Sequence, residues 1–279
     1  MTTANNKPYR FLMVPSGNKL RNVALPPKEK RLMNFGAVKH LLEDVEWDMH
    51  EGAPGLPWVL NRESFCLTAA NILPIVRQAC ESGKYNALII LGGGDPGFVE
   101  SREIGAKLGV PVVACGWSQM HVACMLGHRF SVIDVPESHN QYYADMIVKY
   151  RLADRCASIR NVDDPNQPPG SVGKTWLQAE KERASCGEAV PVIERAVNEA
   201  VAAIEEDGAE VITLGCSGVF WLKPVLEKRL KEIGWDVPVL DGYQCAITMA
   251  KTLVDLRLNA SALTFPPDSP RKWRRKKFV

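Results

Sequence analysis

Gly208-Ala209-Glu210-Val211-Ile212-Thr213-Leu214-Gly215-Cys216-Ser217-Gly218-Val219 sets one thiol where an apolar run breaks into small residues. Val211 to Leu214 reads as a buried strand and the small residues after it as a turn. A sulfur there sits at the carboxyl end of a strand, close to several backbone N–H groups, the edge where open α/β sheets bind ligands. A thiolate flanked by amide dipoles serves as a base, an acid or a nucleophile. The other reading is a buried structural cysteine, since free Cys is among the most buried residue types. This stretch alone leaves both open.

Tyr85-Asn86-Ala87-Leu88-Ile89-Ile90-Leu91-Gly92-Gly93-Gly94-Asp95-Pro96-Gly97-Phe98 repeats the plan: apolar strand, Leu-Gly, small-residue turn. The two segments read as equivalent elements of two halves, and only the later one offers a thiol. Two more strand ends supply polar groups. Tyr9 to Pro15 reads as a first strand running into Ser16-Gly17-Asn18-Lys19, a loop suited to binding an anion through N–H groups. Val110 to Cys115 reads as a strand running into Gly116-Trp117-Ser118-Gln119-Met120, with a helix expected from about 119 to 126. Cys115 is a possible second acid or base, the alternative being an inert strand-end thiol. His121, His128 and His139 are further acid–base candidates; Asp95 is expected to cap a helix over 99–108.

The elements that position these residues follow one cadence. Helical patterns over 68–82, 99–108, 188–206, 222–233 and 244–256 alternate with short apolar strands, which predicts a mainly parallel α/β sheet. Residues 138–160 are expected to hold a helix and a connection. Asn161 to Gly173 is the longest breaker-rich segment, a candidate lid or crossover loop. Gly-x-x-Gly-Lys-Thr at 170–175 lacks a preceding strand and the full phosphate-loop spacing, so no nucleotide site is read there.

At 279 residues, 46% of them hydrophobic, the chain supports one large or two small α/β domains. A net charge of +2 makes it no obvious polyanion binder. Its eight cysteines form no Cys-x-x-Cys pair and no zinc-ligand cluster, so no metal is expected. Scattered cysteines and a polar start without an apolar signal core point to the cytoplasm. No run is long enough for a membrane helix. The tail from Arg271 to Val279 is strongly basic; a solvated terminus or oligomer arm is the expectation, and nucleic-acid binding the weaker one.

Four segments carry a resemblance to a known family: Tyr85–Glu103, Pro111–Ile133, Gly208–Val219 and Pro238–Leu253. Together with the Val14–Asn18 loop they resemble the aspartate/glutamate/hydantoin racemase superfamily, in its hydantoin and allantoin racemase branch. The resemblance implies two doubly wound α/β halves related by a pseudo-twofold axis, with the site in the cleft between them. The first half would take residues 1–118 plus 244–279 and the second, carrying Cys216, 119–243. It also implies no cofactor, a small-molecule substrate bearing a carboxylate or cyclic amide, and a homo-oligomer. Such racemases use two cysteines on opposite faces of an acidic carbon.

Here the ungapped match puts Gly92 at the first cysteine, and the internal match of the halves puts Gly93 there. Trp117 stands where hydantoin racemases carry an acidic residue. One fixed thiol reaches one face of a carbon, which suits decarboxylation followed by a single protonation. Arylmalonate decarboxylase resembles this single-cysteine design. The resemblance thus implies a carbon-acid enzyme, isomerase or lyase, with Cys216 as sole catalytic thiol. Pro15, Ser16, Gly17, Asn18, Gly92, Gly93, Gly94, Asp95, Trp117, Ser118, Ser217 and Gly218 would surround the substrate. The alternatives are a true racemase using Cys115 as second base, an isomerase using a nucleophilic cysteine, and a non-catalytic binding protein.

Overall fold

A computed structural model describes residues 7–16, 18–19, 25–54, 61–163, 174–266 and 272. The first part of the chain runs β1 (Tyr9–Pro15), β2 (Asn18–Lys19), α1 (Lys28–Arg31), α2 (Phe35–Val38), β3 (Val45–Met49) and β4 (Ala53–Pro54). It continues α3 (Arg62–Glu81), β5 (Ala87–Leu91), α4 (Phe98–Leu108), β6 (Val112–Ala114) and α5 (Cys115–Leu126). The second part runs β7 (Phe130–Asp134), α6 (Asn140–Lys149), β8 (Cys156–Asn161), α7 (Lys174–Ser185) and α8 (Pro191–Glu205). It closes with β9 (Val211–Leu214), α9 (Lys223–Ile233), β10 (Val239–Leu240) and α10 (Gly242–Asp255).

Eight of the described strands form two four-stranded, all-parallel sheets, ordered β3-β1-β5-β6 and β10-β9-β7-β8, and β2 pairs with β4 in a separate two-stranded one. Ranked by position in each sheet's own sequence, both orders are second-first-third-fourth, so one topology occurs twice. β5, β7 and β9 are buried along their whole length, as strands covered by helices on both faces must be. The α/β class read from the cadence is the observed one.

Register carries the repeat down to single residues. Pro15 lies opposite Leu91, and Ile133 opposite Leu214. One step on, Ser16 corresponds to Asp134 and Gly92 to Gly215; the next step matches Gly93 with Cys216.

The helices form for local reasons. Asn61 caps α3 by accepting the Ser64 N–H at 2.9 Å, and Ser64 Oγ accepts the Asn61 N–H in return. α8 starts with Pro191 in its first turn and buries Val192, Ala196, Val197, Ala200, Ala203 and Ile204 along one face. Burying one Val or Ile side chain contributes roughly 1.5–3 kcal/mol, so an Asp at Val197 would strip α8 of its hold on the core. Two helices cross between the sheets: α10 packs on β5 and β6 of the first, and α5 lies against β9 and β7 of the second. Gln119 Nε2 of α5 donates to the carbonyl oxygen of Leu214 at 2.7 Å, fixing that crossing at the end of β9.

Some expectations are corrected. The expected loop Gly116–Met120 is the first turn and a half of α5, which starts at Cys115. Asp95 does not cap α4, whose N-cap is Gly97 in the left-handed region at φ 69. Its carboxylate reaches α5 instead, accepting the N–H groups of Gly116 at 2.8 Å and Trp117 at 2.6 Å. The connection expected within 138–160 contains a strand, β8. Most of the loop expected over 161–173 and of the basic tail lies outside the described residues.

Candidate active site

A cavity of about 190 Å³ opens beyond the carboxyl ends of β7 and β9. Met33, Val135, Pro136 and Leu177 form its apolar wall; His139, Gln178, Lys181, Cys216, Ser217 and Gly218 supply the polar groups. Cys216 stands at its edge because β9 ends at Leu214 and the chain turns directly into a 3-10 segment, Ser217–Leu222. Gly215 N–H donates to Ile133 O at 2.8 Å, holding the start of that turn to β7. Cys216 is the N-cap, and its Sγ accepts the Gly218 N–H at 3.4 Å. That N–H is aimed at the sulfur from the start of the 3-10 turn.

Below the thiol lies a buried acid. Asp134, the last residue of β7, is 0% exposed. Its Oδ1 accepts the Cys216 N–H at 2.6 Å and its Oδ2 pairs with His139 Nδ1, also at 2.6 Å. His139 is 8% exposed and packs against the Tyr142 ring at 5.0 Å between centroids. Lys181, on α7, is half-buried, with no acidic partner among the described residues; burial alone lowers its pKa from the usual lysine value. A cation held in a cavity without a counter-charge is set up for an anion.

Among the described residues, Ser217 and Gly218 line the cavity with Cys216, and the other described candidates are not part of that lining. Gly92 sits at φ 99, and a β-carbon there would lie 2.4 Å from Ser16 Oγ. A β-carbon on Gly93 would lie 1.8 Å from Gly215 O, so the two turns meet backbone to backbone. Gly94 faces the Tyr142 ring. Asp95 is 4% exposed and holds the start of α5; Tyr150 also donates to it, at 3.0 Å. Burial pushes its carboxyl up to about 7 against the pull of those three donors.

Trp117 packs on Phe98, His121 and the Arg102 guanidinium, and Ser118 is fully buried. Cys115 is 0% exposed, with Gly242 of α10 against its side chain. Burial first, and the nearby Asp95 next, drive its thiol pKa well up. Pro15 and Ser16 end β1 away from the cavity lining; Gly17 lies outside the described residues, and of Asn18 only the backbone pairing with Ala53 is described. Of the three candidate histidines, only His139 lines the cavity.

Asp134, Lys181, Gln178, Leu177 and Met33 were not singled out by sequence. Asp134 carried a signal: a carboxylate closing an otherwise apolar strand, Phe130–Asp134. The others come from helices and turns brought in by the tertiary fold and carried none.

A hydantoin racemase from Pseudomonas sp. (strain NS671) is 31% identical over 197 residues, covering 71% of this chain and 69% of that protein. The crystal structure of an allantoin racemase from Pseudomonas fluorescens superposes with a TM-score of 0.70 at 25% identity, covering 95% of this chain and all of the other. Unliganded arylmalonate decarboxylase has the same fold at a TM-score of 0.54 and 13% identity, over 88% of this chain and 92% of that one. The family model for Asp/Glu/hydantoin racemases matches residues 62–250, more than half of the sequence, and so the chain belongs to the Asp/Glu/hydantoin racemase family.

Proposed function

We propose that the chain is a carbon-acid enzyme that delivers a proton to one face of a carbon next to a carbonyl or carboxylate, with Cys216 as its sole catalytic thiol. The observation that carries this reading is the asymmetry of the two matching turns: the second presents the Cys216 thiol to the cavity, while the first has Gly93 at the corresponding place, pressed against Gly215 O and bearing no side chain. In such a site CO₂ leaves from one side, and Cys216 Sγ gives its proton to the resulting enediolate carbon. The apolar wall of Met33, Val135 and Leu177 strips water from the departing carboxylate. Donors of Ser217, beside the thiol on the cavity wall, stabilise the developing negative charge.

Lys181 favours a carboxylate over a neutral cyclic amide as the substrate's fixed group. Lys181→Met is expected to raise KM about tenfold with little change in kcat, as loss of a charge-assisted contact would. Following the family resemblance, the reaction needs no cofactor. We place it in the cytoplasm, as a homo-oligomer, in keeping with eight cysteines of which none is in a disulfide.

Racemisation is the second reading, favoured by the 31% identity to a hydantoin racemase. Turnover in D₂O separates the two. One-sided delivery installs one deuterium and yields a single enantiomer, while racemisation erases the optical rotation of a pure enantiomer. An unchanged turnover in Cys216→Ala would remove both.

A further inference from the structure

We infer that Asp134 and His139 form a proton relay serving Cys216, with Asp134 as a positioning carboxylate and His139 as the group that returns the proton. The inference rests on the reading of Cys216 as an acid–base thiol.

Its first support is shared geometry. β7 and β9 are neighbours, paired from Phe130 with Val211 to Ile133 with Leu214; Asp134 ends β7, Cys216 follows the end of β9, and His139 lies on the 3-10 turn after β7. One fully buried carboxylate holds both of the others, Cys216 through its N–H and His139 through Nδ1, each at 2.6 Å. A carboxylate is acceptor-only, so the imidazole proton on that side sits on Nδ1. That places the proton on Nδ1 and leaves Nε2, on the opposite edge of the ring, as the free nitrogen of a residue that lines the same cavity as Cys216. An acid that only needed a buried donor could be served by an amide; an imidazole adds a second, titrating nitrogen.

A second support comes from the other half. Ser16 holds the place of Asp134 at the end of β1, beside a turn that carries glycine. The acid occurs where the thiol occurs. Asp134 ends β7, the neighbour of β9, and His139 lies on the short 3-10 turn that follows it, so both belong to the half that carries Cys216.

The proton balance closes. Cys216 S–H gives its proton to the carbanion carbon, forming a C–H bond and a thiolate. The His139 imidazolium gives the Nε2 proton to that sulfur. The neutral ring regains one from water, matching the one proton a decarboxylation consumes. The charged and titrating groups around the ring are Asp134 on β7, Glu137 on its own turn, Tyr142 on α6, Asp163 after β8 and Lys181 on α7.

Iodoacetamide labelling of the full chain from pH 5 to 9, with each cysteine's rate read by peptide mass spectrometry, tests the relay. Exposed Cys66 and Cys186 are the reference thiols in the same tube. The relay predicts that the Cys216 rate levels off at a pH where the reference rates still climb. It also predicts that His139→Gln and Asp134→Asn remove that plateau and slow Cys216 about tenfold near pH 6.5, with Cys66 and Cys186 unaltered. A wild-type Cys216 profile that tracks the references overturns the relay without any variant, as does a plateau that survives His139→Gln. The labelling uses no substrate. A chain with the plateau and no carbon-acid turnover keeps the relay and sinks the proposed reaction; turnover without the plateau does the reverse.

Discussion

The turn after β5 and the turn after β9 occupy the same place in two copies of one topology, yet one is closed and the other open. After β5 the chain reads Gly92-Gly93-Gly94 and is packed so tightly that a β-carbon on Gly93 would overlap Gly215 O. After β9 it reads Gly215-Cys216-Ser217, and the middle residue faces a cavity. Nearby polar groups differ in kind. Asp134 sits beneath the open turn and holds the thiol's backbone; beside the closed one, Asp95 is turned away to brace α5. A duplicated fold does not entail a duplicated site. Backbone contact between the halves occupies the space where a second thiol would stand.

The comparison breaks most sharply at Cys216. Cys216→Ala should lower kcat by about a thousandfold, within the range of a lost acid–base group, with circular dichroism unchanged. An equal loss from Cys115→Ala would mean the sealed thiol reaches substrate after all.

Next is the contact between turns. Gly93→Ala should cost more than about 3 kcal/mol, or prevent folding, because its obstacle is the Gly215 backbone rather than a movable side chain. Urea unfolding measures it, and a near-neutral result would show that the halves are not pressed together there.

Asp95 gives the closed side its own pH signature. Its carboxyl, near 3.8 when unfolded and raised to about 7 by burial in the fold, binds its proton more tightly in the folded chain. The associated stability is present in full below about pH 4 and declines as pH rises through 7, by at most about 1.4 kcal/mol per unit. Asp95→Asn should flatten that slope in thermal melts, at the cost of one hydrogen bond, because its NH₂ cannot accept from Trp117.

The gentlest probe is Gly92→Ala. A positive φ and the 2.4 Å approach to Ser16 Oγ should cost about 1–2 kcal/mol, and Ser16→Gly should recover part of it. Full additivity of the two changes would place the cost in the backbone alone.

The fold was legible because parallel α/β cadence is written locally, in apolar runs such as Ala87–Leu91 and the face of α8. Cys216 was legible for the same reason: strand, small residues, thiol. The start of α5 was misplaced because its capping group, Asp95, lies 21 positions before Gly116 and no local pattern joins them. β8 was missed because none of its residues is fully buried and the pattern of an edge strand is weak. The chosen histidine could not be told from His121 and His128 until β7 set Asp134 beneath it. Lys181 and Met33 come from segments far apart in sequence, and only the folded chain brings them to one wall.

The crossing of α5 and α10 has a consequence for how the molecule is made. Strands β1 to β6 leave a translating ribosome early, but the helix that covers β5 and β6 emerges only after the whole second sheet. Until then that apolar face is bare and open to chaperones or to other nascent chains. A fragment cut after α5 would keep this exposure permanently and should aggregate rather than fold. Cys115, walled in at the end by Gly242, would gain its protection last, so the rate at which it becomes resistant to labelling would time the docking of α10.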